Sequence, residues 1–353
     1  MEITILPKDY IITTNDPYCN VQFSDFMLRA LRIKNITSEL LEIQNISFIL
    51  KKDDHVIKEH TYSSEALKYW IPQWQKNIHI SDSQIGALIG VKKFWDYHCL
   101  SSSAQLEPGQ EIGLRNEYFH IVCPEILDEL IVQVIYTQAG ITHKESKHIS
   151  LIRYVNKNKY IFPVKGTWQI CGNFDCIGAH RQRNSDEFAF DLTILDSKQK
   201  NNNYKKAEDY PCYGEKVYAI ADGIVVRVYN EMDRNTIGIS KKEEDKLISV
   251  HGYWPIITGN VVAIQHDNGE YSAVDHLQYH SISLKVGDIV KQGQVIGLVG
   301  NTGLSGCPHL HFELKNGIGS EDRSLPCAFT NIYNTSGDSF NIIAEEYTIV
   351  YTD

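Results

Sequence analysis

The sequence predicts an all-β chain in two domains: an immunoglobulin-like β-sandwich over residues 1–155, then an antiparallel β-sheet domain over 156–353. Three observations carry this. At 353 residues the chain exceeds one ordinary compact core,. Its first half alternates strand-length apolar runs with polar turns, the second half has shorter strands and many glycine turns, and the composition shifts near 155–165,.

In the first half, Phe26 to Ile33, Ile43 to Leu50 and Glu129 to Tyr136 read as strands, and Leu106-Glu107-Pro108-Gly109-Gln110-Glu111 as a turn entering another,. Helices are expected near Ser64–Trp74 and Ser83–Val91. In the second half, Val217 to Tyr229 is strand chemistry interrupted by the turn Asp222-Gly223. Residues Glu231 to Tyr253, with the charge run Lys241-Lys242-Glu243-Glu244-Asp245-Lys246, read as a long surface loop whose charges are solvated,.

Composition bounds the partners. Hydrophobic residues are 42% and charged residues 22%, enough to bury a sizeable core,. A net charge of -10 argues against nucleic acid or an anionic membrane as main partner,. No apolar run reaches the roughly 18 residues a transmembrane helix needs, and residues 1–8 do not read as a secretory signal. The expectation is a cytoplasmic protein, one whose leader was removed from the sequence, or one exported by another route. The eight cysteines, irregularly spaced, read mostly as buried or free thiols, with Cys171 and Cys176 the best candidate pair,.

The chemistry concentrates in His309-Leu310-His311-Phe312-Glu313-Leu314. Alternation on a strand puts His309, His311 and Glu313 on one side and Leu310, Phe312 and Leu314 on the other. Two imidazoles on an apolar backing suit a metal ligand beside a proton-handling group. In Glu187 to Ile194 the bulky apolar residues share one face and Asp191 emerges on the other between Ala189 and Thr193. With His180 upstream, one carboxylate and two imidazoles would leave a fourth metal position open to water.

From about Tyr160 to Phe329 the sequence resembles the lysostaphin-type zinc endopeptidases, the LytM and LasA relatives of peptidase family M-twenty-three. Their pattern is a histidine, an aspartate, a lone histidine before leucine, and histidine-any-histidine. Here it falls on His180, Asp191, His276 in Asp275-His276-Leu277, and His309 with His311. Ala219-Ile220-Ala221-Asp222-Gly223, the hairpin Val286 to Gly297 and the loop Gly300 to Phe312 match its landmarks. The chain departs from many relatives in having ten residues, not three, between His180 and Asp191, and no obvious tyrosine beside His276.

The resemblance implies a LytM-type metallopeptidase domain over 156–353 in which His180, Asp191 and His311 hold Zn2+. His276 and His309 would lie beside the bound water as base or as stabilisers of the tetrahedral intermediate. The implied substrate is a peptide bond in peptidoglycan stems or cross-bridges, glycyl or D-alanyl, which would place the protein outside the cytoplasm. An intracellular peptidase and a non-catalytic peptidoglycan-binding regulator are the alternatives, but a degenerate regulator usually loses ligands and all five polar positions stand.

Blander readings apply elsewhere. Cys171, Cys176 and His180 have structural-zinc spacing without a fourth ligand. Cys307 reads as a packed thiol, and Tyr69 to Trp74 as packing aromatics more than a carbohydrate platform. His251, His266 and His280 read as surface or core residues. Gly297, Gly300 and Gly303 lack a following helix and so read as turns near the metal, not a nucleotide loop.

Overall fold

The structure is a computed structural model. It describes all residues except 15–22, 79–88, 92, 124, 174–179, 195, 197–203, 236, 239, 341, 344–347 and 353. The chain divides into two compact units, Met1–Tyr154 and Val155–Asp353. Strands dominate both, with few helices.

In the N-terminal unit the strands are β1 (Glu2–Leu6), β2 (Tyr10–Ile12), β3 (Phe23–Lys34), β4 (Leu41–Lys52), β5 (His55–Ser63), β6 (Gln105–Leu106), β7 (Glu111–Val122), β8 (Glu129–Gln138) and β9 (Ile141–Ile152). They form a three-stranded sheet in the order β1-β3-β7 and a six-stranded sheet in the order β2-β9-β8-β4-β5, with β6 on β4. Both sheets feed one apolar core, with Phe26 and Leu28 from β3, Ile46 and Phe48 from β4, and Val132 and Val134 from β8. Phe119 of β7 joins them, stacked on Phe26 at 4.8 Å between centroids and edge-on to Phe48 at 5.5 Å.

Most pairings are antiparallel, but β2 runs parallel to β9. Helix α1 (Ser64–Ile78) buries Leu67, Ile71 and Trp74, so Ile71 and Trp74 of the aromatic segment are core, whereas Tyr69 and Trp70 are exposed. The expected helix at Ser83–Val91 falls mostly outside the described residues.

The C-terminal unit contains β10 (Gly166–Gly172), β11 (Phe190–Thr193), β12 (Lys216–Tyr218), β13 (Gly223–Tyr229), helices α2 (Lys241–His251) and α3 (Tyr253–Thr258), β14 (Val261–Gln265), β15 (Tyr271–Asp275), β16 (Ile289–Val290), β17 (Val295–Leu298), β18 (Leu310–Lys315), β19 (Ser324–Leu325), β20 (Ile332–Tyr333), β21 (Ser339–Phe340) and β22 (Ile349–Thr352). Ten of these strands run in the order β16-β13-β14-β15-β18-β11-β10-β22-β20-β21 within one sheet, and β19 pairs with β18. Strands β12 and β17 pair separately.

The chemistry-bearing strand β18 lies inside this sheet, and every residue of it is buried. Leu310, Phe312 and Leu314 sit in the core as their alternation requires, and Phe312 stacks on Phe190 of β11 with centroids 5.8 Å apart,. That apolar anchoring fixes which face the intervening histidine presents.

One expectation is overturned. The stretch Glu231–Tyr253 is not all loop, because Lys241–His251 is helical. Ser240 and Glu243 form a reciprocal capping box and Gly252 closes the end,. No residue of α2 is buried, so there is no apolar stripe to betray the helix, and its charges are solvated as expected,.

Candidate metal centre

Five polar side chains from four segments converge on one face of the sheet. Asp191 on β11 is the register partner of His311 on β18, and Asp275 at the end of β15 pairs with His311 from the other side. The His311 Nδ1 lies 2.9 Å from Asp191 Oδ1. His180, in a short 3-10 turn over His180–Gln182, brings Nε2 to 3.0 Å from Asp191 Oδ2. One donor atom from each of His180, Asp191 and His311 lies within 4.8 Å of the other two. Two imidazole nitrogens and one carboxylate oxygen are the donor set and number that a catalytic zinc takes.

The other two histidines border this triad. His309 carries Nε2 to 3.6 Å from Asp191 Oδ1, and its ring centroid is 4.7 Å from that of His276. Their tautomers are set by backbone carbonyls, which can only accept. His276 Nδ1 is 2.8 Å from Thr302 O, and His309 Nδ1 is 2.8 Å from Cys307 O. In a neutral ring each Nδ1 therefore carries the hydrogen, and Nε2 keeps its lone pair.

The loop that supplies those carbonyls is pinned by close backbone crossings. Thr302 Oγ1 donates to Leu277 O at 3.0 Å and accepts from Asn260 N at 2.9 Å. Gly303 has φ +75°, and a Cβ there would lie 2.4 Å from Gly259 N, so glycine is required on both conformational and steric grounds. His276 itself adopts φ 62°, the left-handed region, with its N–H bonded to Thr258 O at 2.8 Å. Such backbone strain clusters at functional sites.

The electrostatics favour a cation beside Asp191. Burial opposes ionisation of Asp191, but the charge of His309 and the bonds from His180 and His311 outweigh it and hold the carboxyl well below its usual range,. Burial likewise opposes a charged His311, yet Asp191, Asp275 and Glu313 carry the imidazole up to about 10. A positive charge at that position is thus strongly stabilised, as an incoming divalent ion would be. His276 goes the other way: burial, with His309 and His311 adding to it, holds it well below the ordinary imidazole range. It stays neutral, with Nδ1 on Thr302 O and the Nε2 lone pair free.

The structure brings together all five residues singled out in the sequence: His180, Asp191, His276, His309 and His311. It does not bring in His251, which bonds Tyr229 at 2.7 Å, or His280, near Glu231 at 3.5 Å. His266 is buried elsewhere, between Asp222 O and Ser272 Oγ at 2.9 and 2.8 Å. Cys171 is a free thiol, and Cys176 lies outside the described residues, as does any structural zinc built on it. Cys307 is a half-buried thiol that contributes its carbonyl. The sequence alone does not single out Asp275, the neighbour of His276; only its register opposite His311 brings it to the site.

Residues 203–323, within the C-terminal unit, match Peptidase family M23. The match contains His276, His309 and His311, while His180 and Asp191 lie upstream of it. The chain is 32% identical over 159 residues to the peptidoglycan DD-endopeptidase ShyA of Vibrio cholerae, covering 43% of this chain and 26% of that protein. It is 29% identical over 149 residues to the glycyl-glycine endopeptidase ALE-1 of Staphylococcus capitis, covering 36% of this chain and 34% of that one. The chain thus spans about a quarter to a third of the length of these relatives. The crystallised catalytic domain of lysostaphin from Staphylococcus simulans aligns with 44% of this chain and 84% of its own, at 21% identity and a TM-score of 0.26.

Proposed function

We propose that the C-terminal unit is a zinc-dependent endopeptidase acting on peptidoglycan stems or cross-bridges at glycyl or D-alanyl bonds. His180, Asp191 and His311 hold the ion, and His276 and His309 handle the proton. The observation that carries this is Asp191 held between His180 and His311, at 3.0 and 2.9 Å, with two further imidazoles alongside. Zinc in a three-donor site polarises a carbonyl and lowers the pKa of water to about 7.

The remaining steps belong to the chain. A basic Nε2, on His276 or His309, accepts the proton of the attacking water, a role that burial supports by keeping His276 neutral,. After the carbon–nitrogen bond breaks, the same proton passes to the departing amine. The carbonyls of Thr302 and Cys307 keep both rings in the tautomer this needs. In this reading residues 1–155 are an accessory β-sandwich of immunoglobulin-like kind and 156–353 the peptidase domain. A cell-wall substrate places the work outside the cytoplasm; among the described residues no helix is long and apolar enough to cross a membrane.

The test is to incubate the purified chain with intact peptidoglycan and with glycine-rich peptides, and to identify new termini by mass spectrometry. New amino termini that vanish on chelation and return with zinc are expected. Binding of wall fragments without cleavage would favour a regulator, and cleavage confined to cytoplasmic peptides an intracellular peptidase.

A further inference from the structure

His311 has a carboxylate on each side. Asp191 on β11 and Asp275 on β15 are both its register partners, and directly opposed residues of neighbouring strands share one face with Cβ atoms about 4.5–5.5 Å apart. The Asp191 side is accounted for, since Oδ1 meets Nδ1 of the ring. If Nδ1 serves the ion, the neutral ring must carry its hydrogen on Nε2, and a buried N–H needs an acceptor.

Three other carboxyl groups bear on His311. Glu313, two residues along the same face, is paired with Lys315 at 3.5 Å. Asp186 is engaged by Ser185 and by Arg183 at 3.2 Å. Asp275 is only 5% exposed, and its Oδ1 is buried with no hydrogen-bond partner among the described residues. A buried acceptor left over beside a ring with a donor to place is unusual enough to require a reason.

We propose that Asp275 is a positioning residue for the metal centre: a carboxyl oxygen of its side chain accepts the Nε2–H of His311 and so commits Nδ1 to the ion. Such outer partners fix the tautomer and orientation of a ligand histidine, and their loss typically costs about 10–100-fold in metal affinity. The idea rests on the reading that His311 is a ligand.

The test compares zinc affinity of the full chain, by competition with a chelator of known strength, across wild type, Asp275→Val, Asp275→Asn and His311→Ala. Asp275→Val should bind zinc about 10–100-fold more weakly. Asp275→Asn, whose amide oxygen still accepts, should recover most of that loss. Unchanged affinity in Asp275→Val, while His311→Ala loses zinc, overturns the role of Asp275 alone. Unchanged affinity in His311→Ala overturns the ligand assignment beneath it. If Asp275→Val does not fold, proton NMR of the zinc-loaded wild type and Asp275→Asn decides: the His311 Nε2–H resonance should move in the variant, and an unmoved resonance overturns the proposal.

Discussion

Asp191 and His311 face each other as register partners, with Oδ1 2.9 Å from Nδ1, and the other oxygen of the same carboxylate is 3.0 Å from His180 Nε2. Asp191 therefore joins two imidazoles that neither strand pairing nor sequence proximity would otherwise connect. Asp191→Ala should lower zinc affinity by more than about 100-fold, beyond the range seen for outer-shell losses. Chelator competition measures this, and stoichiometric zinc in the purified variant would remove Asp191 from the ligand set.

His309 and His311 both approach Asp191 Oδ1, but His311 does so through Nδ1 at 2.9 Å and His309 through Nε2 at 3.6 Å, its own Nδ1 held by Cys307 O. His309→Ala should keep its zinc and lose about 10²–10⁴-fold in turnover, the usual weight of a proton-transfer group. His311→Ala should lose both zinc and activity. Metal content by mass spectrometry, measured beside cleavage rates, separates the roles; equal zinc retention in both variants would overturn them.

Gly303 and Gly306 lie in the same loop with opposite surroundings. A Cβ at Gly303 would meet Gly259 N at 2.4 Å and Ile256 O at 2.6 Å from a backbone at φ +75°, whereas one at Gly306 would meet nothing within 4 Å. Gly303→Ala should cost about 2 kcal/mol and lower the melting temperature by roughly 4–8 °C. Gly306→Ala should leave it nearly unchanged. Equal melting points would show that the loop can part from Gly259 without penalty.

Acidification should weaken the fold through His266. Burial holds its folded-state pKa below the ordinary 6.5, against the opposing bond to Asp222 O. Below about 6.5 the unfolded chain takes up a proton that the folded chain refuses, so stability falls as pH drops from there towards the folded value and is level above it. Urea titrations of the metal-free chain between pH 7.5 and 5 should show a smaller acid loss in His266→Gln than in wild type. Parallel losses would assign the acid sensitivity to other groups.

Strand alternation made much of the site legible. In β18 and β11 the bulky residues Leu310, Phe312, Phe190 and Leu192 declare the buried face, so His311 and Asp191 are left on the other. His180 gave no such signal, because a three-residue turn has no periodicity; the family resemblance supplied it. Asp275 was invisible for a different reason: its meaning comes from the cross-strand partner, and register is not written in one strand alone. Helix α2 had a legible start in Ser240 and Glu243, but a fully solvated helix lacks the apolar repeat that would have distinguished it from a loop. The parallel pairing of β2 with β9 was beyond reach for the same reason as Asp275.

The position of β18 between two strands that bear carboxyl groups would make ion capture a check on assembly. Sliding that strand by a single residue would aim Leu310 or Phe312 into the cluster and turn His311 toward the oily side. A mispaired chain would then be unable to close a three-donor grip, and the ion's binding energy would accrue only to molecules whose neighbouring strands had zipped in the right alignment.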